Sequence, residues 1–240
     1  MAGGELPCGM LSPRIYPSGD HAITIELGNA IDQGTHHKVI SLYKRLQEHR
    51  HESMLDIIPS YHTVTVVYDP VAAPYGKMRQ RLLDAAQHPT SIEISSRQLR
   101  IPVCYDETVA PDISSLADIH RITKQELIAL HTGRSYRVYF LGFLPGFAYM
   151  GTVDERIATP RKQAPRTAVP AGSVGIAGTQ TGIYPQESPG GWQLIGRTPI
   201  RMFDASLENP AYLQPGDEVQ FYPVSIAEFK KLQQHASEGP

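Results

Sequence analysis

The amino-acid sequence predicts an α+β protein in which a small N-terminal α+β domain of ferredoxin-like type precedes a domain of short strands. The first observation is that residues 1–90 alternate strand-like and helix-like patterns, in the order strand, helix, two strands, helix. The second is that strand-sized segments separated by glycine and proline turns fill the chain after Gly142, as in a barrel or sandwich. We therefore expect two domains, residues 1–90 and 91–240.

The elements of the N-terminal domain follow from the spacing of its apolar residues. Alternation over residues 21–27 places three apolar side chains on one face of a half-buried strand. Between Ile31 and His51 the apolar residues recur at spacings of three, four and eight, which indicates one stripe along a helix. The remaining predicted elements are two strands and a helix, at residues 54–58, 63–68 and 74–87.

The C-terminal domain is predicted to begin with a strand at residues 99–105. Thr123 and Glu126 have the spacing of a capping box, so a helix begins there, and Gly133 is suited to its end. A strand is expected over residues 134–141. The later predicted elements are short strands at 169, 174–176, 182–184, 192–195 and 219–222, and a helix at 225–235.

Composition excludes several classes of protein. The 240 residues include 22 Lys and Arg against 24 Asp and Glu, and a net charge of −2 argues against general attraction to nucleic acid or anionic membrane. No apolar run approaches the ~18 residues of a membrane span. Cys8 and Cys104 are too few and too far apart for a disulfide framework, which favours a reducing compartment. We therefore expect a cytoplasmic protein without nucleic-acid or membrane partners.

Glycine, proline and basic charge are concentrated in one part of the chain. Residues 142–200 contain 17 Gly and Pro among 59 residues, and residues 134–201 contain 8 basic against 3 acidic residues, a net charge of +5. The ten histidines lie at or before His131, apart from His235, and this segment contains no cysteine. A Ser–His–Asp or Cys–His nucleophile within the segment is therefore excluded, and any catalysis there must depend on positioning and electrostatics.

The same segment supplies the candidate binding residues, because glycine amides, neutral donors, guanidinium forks and aromatic walls together suit a small anionic ligand. Gly/Pro-rich turns and solvated arginines are equally expected of any barrel, so a purely structural role stays open for each of them. No phosphate-binding loop, dinucleotide fingerprint or metal-ligand spacing is present, and no metal site is predicted. The candidates are Arg161, Arg166 and Arg197 as anion contacts; Ser173, Gln180 and Thr181 as polar contacts; Phe143, Tyr149 and Trp192 as walls; and Gly172, Gly178, Gly190 and Gly191 as amide donors or turns.

Two long motifs resemble a known family. They read FLGFLPGFAYMG from Phe140 and VPAGSVGIAGTQTGIYPQESPGGWQLIGRTP from Val169. The family is that of the B subunit of 5-oxoprolinase, which includes the KipI histidine-kinase inhibitor and allophanate hydrolase subunit 1. The resemblance implies an N-terminal α+β domain followed by a cyclophilin-like β-barrel.

The resemblance also implies a function. The B and C subunits of 5-oxoprolinase would form a hetero-oligomer that activates 5-oxoproline by ATP-dependent phosphorylation, and the A subunit would complete its opening to glutamate. The chain would then be one component of an ATP-hydrolysing amide-bond hydrolase, inactive alone, with ATP as co-substrate and Mg²⁺ held by no recognisable motif here. Two alternatives remain open, a protein that inhibits a sensor histidine kinase and a carboxyltransferase component of a urea-type carboxylase.

Overall fold

The computed structural model describes residues 13–87 and 96–237, with side chains as far as residue 234. The chain divides into two compact units, Met1–Ile94 and Ser95–Pro240. The predicted domain boundary at residue 90 lies outside the described residues and stays a prediction.

In its described part, the first unit is a four-stranded antiparallel sheet with two helices. The sheet order is β1-β2-β4-β3, and the predicted order of strand, helix, two strands and helix is present from β2 to α2. Strand β1, which the sequence analysis does not predict, pairs with β2 at the edge of the sheet. The elements are β1 (Arg14–Pro17), β2 (Ala22–Glu26), α1 (Gln33–Glu48), β3 (Met54–Pro59), β4 (Thr63–Tyr68) and α2 (Tyr75–Gln87).

Apolar side chains from one face of the sheet and from both helices form the core of this unit. Helix α1 begins after Asp32, whose carboxylate accepts a hydrogen bond from the Thr35 amide at 2.9 Å. Ile31, which the apolar spacing assigns to this helix, lies before its first residue and is 47% exposed, because the helix begins at its cap. The core includes Ile23, Ile25, Val39, Leu42, Leu46, Val64, Val66, Met78 and Leu82.

The second unit is built around a closed barrel of seven strands, in the order β10-β7-β6-β13-β5-β12-β9. Strands β13 and β5 are parallel, while the other neighbouring pairs are antiparallel. Strands β8 and β11 form a separate two-stranded sheet. The elements are β5 (Gln98–Cys104), α3 (Ile113–His120), α4 (Lys124–Thr132), β6 (Ser135–Leu141), β7 (Ala148–Gly151), a 3₁₀ turn (Glu155–Ile157), β8 (Arg166–Val169), β9 (Ser173–Ala177), β10 (Gln180–Ile183), β11 (Ser188–Gly190), β12 (Gln193–Arg197), β13 (Glu218–Val224) and α5 (Ile226–Ser237).

Alternation along the barrel strands separates an inner core from an outer face. In β7, Ala148 and Met150 belong to the main core, whereas Tyr149 between them packs in a different cluster. Helix α4 has the predicted capping box, since the Thr123 hydroxyl accepts from the Glu126 amide at 3.2 Å and the Glu126 carboxylate accepts from the Thr123 amide at 2.7 Å. This helix brings His131 against the ring of Phe221 at 4.8 Å.

None of the helices within the described ranges combines the length and apolar character that crossing a membrane requires.

Candidate functional site

An aromatic cluster lies on the outer face of the barrel. Phe147 is 1% exposed and stands at its centre, with ring centroids at 4.8 Å from Tyr149, 5.2 Å from Tyr184 and 5.3 Å from Trp192. Phe140 stacks on Tyr149 at 4.5 Å. Edge-to-face and offset contacts of this kind stabilise aromatic groups beyond the area they bury. We define the aromatic cluster as Phe140, Phe143, Phe147, Tyr149, Tyr184 and Trp192.

Two glycines make room for these rings. A Cβ atom at Gly182 would lie 3.0 Å from the Trp192 ring and 3.1 Å from the Phe147 ring, and one at Gly190 would clash with the Tyr184 hydroxyl. A side chain at Gly190 would therefore displace Tyr184, and one at Gly182 would fit only if its neighbours moved by a few tenths of an ångström, whether or not a ligand is present. This packing accounts for the presence of Gly190, and a ligand-binding role for this glycine stays a prediction.

The loop between β6 and β7 presents Phe143 to solvent. Its backbone is left-handed, with φ of +68°, and its side chain is 61% exposed while contacting Phe147 edge-to-face at 5.6 Å. A non-glycine residue in this conformation costs roughly 1 kcal/mol or more, and such strain is concentrated at functional sites. The exposed ring at the edge of the aromatic cluster is consistent with its predicted role as a wall.

A second group, the charged trio, consists of Asp112, Lys162 and Arg166. One oxygen of the Asp112 carboxylate, Oδ1, accepts from Arg166 Nη2 at 2.6 Å and from Lys162 Nζ at 3.0 Å. The other, Oδ2, accepts from the Leu194 amide at 2.7 Å. Burial alone would raise the pKa of Asp112, but the hydrogen bonds from Arg166, Leu194 and Lys162 outweigh it and lower that pKa. The carboxylate is therefore ionised and holds two cations.

The charged trio and the aromatic cluster adjoin each other. Arg166 Nη1 lies 3.5 Å from the Trp192 carbonyl oxygen, and the Lys162 amide donates to the Gly191 carbonyl at 2.7 Å. Burial raises the pKa of Tyr184, and the charges of Arg161 and Arg166 oppose that rise. Burial likewise raises the pKa of Tyr149 against the charge of Arg161. We call the aromatic cluster together with Arg161 and the charged trio the aromatic–basic face.

Arg161 differs from its two basic neighbours. It is exposed, and within residues 13–87 and 96–237 no carboxylate lies within ion-pair distance of its guanidinium. Its positive charge is therefore available at the edge of the face.

Arg197 lies at the end of β12, beside the turn that precedes β9. Its Nε donates to the Ala171 carbonyl at 2.8 Å, and burial lowers the pKa of its guanidinium. Gly172 in the same turn has φ of +81° and donates its amide to the Tyr184 carbonyl at 2.7 Å. Ser173 follows and is 1% exposed. Among the described residues, no hydrogen bond or ion pair joins the Arg197 side chain to the aromatic–basic face.

Three other predicted residues lie along the hairpin of β9 and β10. Thr181 is fully buried in the barrel, because alternation in β10 turns it inward with Ile183. Its hydroxyl donates to the Gly175 carbonyl at 3.1 Å, so its placement differs from the predicted contact with a ligand. Gly178 has φ of +61° and donates its amide to the Thr159 carbonyl at 2.7 Å, while Gln180 is half-buried at the start of β10.

A third group, the histidine trio, consists of Tyr105, His131 and Thr181 and is enclosed by the barrel. The Tyr105 hydroxyl lies 2.8 Å from His131 Nδ1, and the Thr181 hydroxyl lies 3.0 Å from His131 Nε2. Because Thr181 donates its proton to Gly175, Nε2 must carry the proton that Thr181 accepts, and Nδ1 accepts from Tyr105. Burial lowers the pKa of His131 from 6.5 to about 3. The imidazole is neutral and inaccessible, so it is unsuited to act as a base toward an external ligand.

Sequence reasoning missed Asp112, Lys162 and His131. Lys162 follows the candidate Arg161 directly, so a search for adjacent cations finds it. Asp112 lies 54 residues before Arg166, and no local pattern indicates that the two side chains meet.

Two clefts are lined by residues that do not belong to the aromatic–basic face. The cleft in the first unit has a volume of about 280 Å³, and the cleft in the second has about 360 Å³. The cleft in the first unit is lined by Arg45, Leu46, His49, Met54, Arg81, Asp84 and Ala85. The cleft in the second unit is lined by Arg97, Arg201, Asp204, Leu207, Asn209, Pro210, Ala211, Tyr212 and Gln214.

The residues of the aromatic–basic face do not fit Mg²⁺. This ion prefers oxygen ligands, chiefly carboxylates. Asp112 is the carboxylate of the face, and its two oxygens already accept from Arg166, Lys162 and Leu194. In the part of the chain that the structure describes, no group of three His, Cys, Asp or Glu side chains is arranged to hold a metal ion.

Comparison with known proteins adds a family to this geometry. The family model described as carboxyltransferase domain, subdomain C and D, matches residues 13–213. The chain is similar to the B subunit of 5-oxoprolinase from Bacillus subtilis strain 168, with 36% identity over 238 residues, 93% of this chain and 98% of that one. Its counterpart in Escherichia coli O157:H7 is 36% identical over 214 residues, 89% of this chain and 97% of that one.

Solved structures share the fold. The crystal structure of TTHA0988 is 34% identical with a TM-score of 0.77, and the match covers 85% of this chain but 40% of that longer one. The Kluyveromyces lactis urea carboxylase is 21% identical with a TM-score of 0.77, over 95% of this chain and 23% of that enzyme. The chain therefore spans about two fifths of the length of TTHA0988.

Proposed function

The chain belongs to the family of 5-oxoprolinase B subunits, and we propose that it is the B subunit of an ATP-dependent 5-oxoprolinase. The observation that carries this proposal is the match over 98% of the Bacillus subtilis B subunit. The proposed reaction consumes two water molecules overall: one is added across the lactam C–N bond, which breaks, and the other is consumed as ATP is split to ADP and phosphate. The product is glutamate.

The aromatic–basic face supports a role in holding the substrate. 5-Oxoproline has a flat lactam ring and one carboxylate. The exposed ring of Phe143 and the half-buried ring of Tyr149 offer apolar surface, while Trp192 is 7% exposed and packs against Tyr149. The cations of Arg161, Lys162 and Arg166 suit a carboxylate. This chain would therefore bind and orient the lactam.

Groups for the chemical step would come from partner chains. On this face the one carboxylate is engaged by Arg166 and Lys162, and the histidine of the histidine trio is enclosed, so no general base faces a ligand there. We infer that the C subunit completes the site and provides the surroundings of ATP and its Mg²⁺, and that the A subunit completes the ring opening. The greater length of TTHA0988 is consistent with a barrel of this kind acting beside further structure.

The finer classification of both units is part of this proposal. In the first unit, the run β2-α1-β3-β4-α2 supports a ferredoxin-like arrangement in which β1 replaces the final edge strand. We propose that the closed seven-stranded barrel of the second unit is cyclophilin-like and that the protein is cytoplasmic.

Reconstitution tests the proposed function. Purified chain mixed with its C and A subunits is expected to form glutamate from 5-oxoproline only when ATP and Mg²⁺ are present, with one ADP released per glutamate. Mixtures that omit any one of the three proteins serve as controls. A folded, complete mixture that releases no glutamate would contradict the proposal.

A second candidate is a carboxyltransferase component, which the name of the matching family model favours. It predicts transfer of a carboxyl group from carboxybiotin to a small amide acceptor in the presence of this chain and its partner. The product, an N-carboxyamide, loses CO₂ in acid. Counting ¹⁴C from labelled bicarbonate in the product isolated at alkaline pH, with a biotin carboxylase and biotin carrier added, therefore separates this candidate from the first.

A further inference from the structure

We propose that Asp112 is a positioning residue that holds Lys162 and Arg166 as the receptor for the single carboxylate of 5-oxoproline. This inference rests on the proposed function and adds to it the part of the substrate that the charged trio binds. It also implies that the phosphates of ATP bind outside the charged trio.

Asp112 is itself fixed to the barrel wall. Its carboxylate accepts from the Leu194 amide in β12 at 2.7 Å, and its own amide donates to the Leu194 carbonyl at 3.0 Å. The residue is 3% exposed, so little room is left for it to move. A carboxylate held in this way is a rigid support for cations.

The two cations need such a support. Lys162 lies within the irregular segment that precedes β8, and Arg166 is the first residue of that strand. Long flexible side chains lose much entropy when they are ordered on a ligand. Their shared contact with Asp112 Oδ1, at 3.0 Å and 2.6 Å, places both cationic groups together before a ligand arrives. Preorganisation of this kind lowers the cost of binding.

Both cations keep donors for a ligand. An ammonium has three N–H donors and a guanidinium has five. Lys162 uses one of them on Asp112, and Arg166 donates to Asp112 and to the Trp192 carbonyl. The remaining donors suffice for the two oxygens of a carboxylate.

The charge of the trio selects the ligand. Two cations and one carboxylate leave the trio with a net charge of +1, which balances one carboxylate. Even with the added charge of Arg161 at its edge, the face carries less charge than a polyphosphate. The glycine amides at Gly172 and Gly178, which would otherwise suit phosphate, donate to the Tyr184 and Thr159 carbonyls. The aromatic–basic face therefore matches a small organic acid with an apolar ring.

Steady-state kinetics of the reconstituted enzyme test the proposal. Asp112→Asn keeps the size of the side chain and an oxygen for the Leu194 amide but removes the charge that holds the cations. We expect the KM for 5-oxoproline to rise about tenfold or more, because a charge-assisted contact is lost. The KM for ATP and kcat are expected to stay within about twofold, since neither depends on the carboxylate receptor. The direction of the change in the KM for 5-oxoproline is informative. Asp112→Asn makes the trio more positive by one charge, so attraction by net charge alone would lower this KM instead of raising it.

A second set of variants keeps the test decisive if Asp112→Asn does not fold. Lys162→Met removes one cation from a side chain that is 31% exposed and is expected to raise the KM for 5-oxoproline. Lys162→Arg keeps the cation and is expected to keep this KM near that of wild type. Inhibition by 2-pyrrolidone, the same lactam without its carboxylate, is expected to be equal in wild type and Lys162→Met. Asp204→Asn is the matched control, since Asp204 pairs with Arg201 at 2.8 Å outside the face.

The outcomes separate this inference from the proposed function. No glutamate from the wild-type mixture overturns the proposed function itself. An active wild type in which folded Asp112→Asn or Lys162→Met leaves the KM for 5-oxoproline unchanged overturns the inference alone. A rise in the KM for ATP instead would also overturn it, because the trio would then bind phosphate.

Discussion

The histidine trio and the charged trio are both hydrogen-bonded groups of three side chains in the same unit, but they differ in charge and in access to water. His131 and Thr181 are completely enclosed, and burial keeps the imidazole neutral. In the charged trio, the side chains of Lys162 and Arg166 are 31% and 26% exposed around a buried carboxylate. An enclosed site tolerates polar groups only when they are neutral and fully paired, whereas a site at the surface can keep charges for a ligand.

This difference assigns the two groups to different tasks. The histidine trio has no route to a ligand, and each hydrogen bond in it stabilises the barrel. The charged trio has two partly exposed cations beside the aromatic cluster. We therefore expect changes in the first to affect mainly folding, and changes in the second to affect mainly substrate binding.

The largest expected effect is on stability, from His131→Ala. The change leaves a cavity in the barrel and removes the partners of Tyr105 and Thr181, so the free energy of unfolding should fall by about 3–5 kcal/mol. Urea unfolding monitored by circular dichroism measures this loss. His120→Ala removes one contact from a half-buried imidazole to Thr159, whose hydroxyl keeps the Ile157 carbonyl as a partner; it is the control and should cost about 1 kcal/mol or less. Equal losses in the two variants would contradict the difference between enclosed and exposed sites.

Acid should affect the two trios in different pH ranges. The pKa of His131 is lowered to about 3, so between 6.5 and that value the unfolded chain binds a proton that the folded chain does not. Stability should therefore decline on acidification by about 1.4 kcal/mol per pH unit from this group, or about 2 kcal/mol between pH 6.5 and 5.

For Asp112 the folded pKa is also lowered, from 3.8, so its contribution to stability is complete above that value and is lost only below it. Urea unfolding at several pH values checks both ranges. His131→Gln, which cannot titrate, should reduce the slope above pH 5 by about 1.4 kcal/mol per pH unit. A slope equal to that of wild type would show that His131 does not have a lowered pKa.

A smaller loss of stability is expected from Asp112→Ala. The Leu194 amide loses its side-chain partner, but the released cations are partly exposed and regain water, so we expect a loss of about 1–2 kcal/mol. Thermal or urea unfolding measures it beside His131→Ala. A loss greater than that of His131→Ala would reverse the order that the comparison requires.

The smallest change in stability is expected at Phe143. Replacement by glycine relieves the left-handed backbone but removes the contact with Phe147, so stability should change by less than about 1 kcal/mol in either direction. If the exposed ring contacts substrate, the KM for 5-oxoproline should rise while the unfolding midpoint stays near that of wild type. Leu207→Gly, which removes another exposed side chain, is the control. Unchanged kinetics in Phe143→Gly would remove Phe143 from the site.

Local patterns predicted much of the fold. Alternation indicates the strand around Ile23, a run of β-branched residues indicates the strand around Val66, and the spacing of Thr123 and Glu126 indicates the start of α4. Strand β1 was missed because its four residues are mostly exposed and have no apolar alternation to detect. The closing of the barrel depends on pairs such as β13 with β5, about 120 residues apart, which no local pattern reveals.

The candidate site was predicted less completely, for the same reason. Composition points to residues 134–201, and within that segment the structure brings Arg161, Arg166, Tyr149 and Trp192 together. The carboxylate that organises Arg166 lies outside that segment, at Asp112. Thr181 was a candidate because of its neighbours in the sequence, but its strand position faces it toward His131.

The most direct test of the central claim is a calorimetric titration of 5-oxoproline into the complex of this chain with the C subunit, in wild type and in Lys162→Met. We predict measurable binding by wild type and a dissociation constant about tenfold or more higher in the variant, with an unchanged unfolding midpoint. Equal dissociation constants in the two proteins would contradict the claim that the charged trio binds the substrate carboxylate.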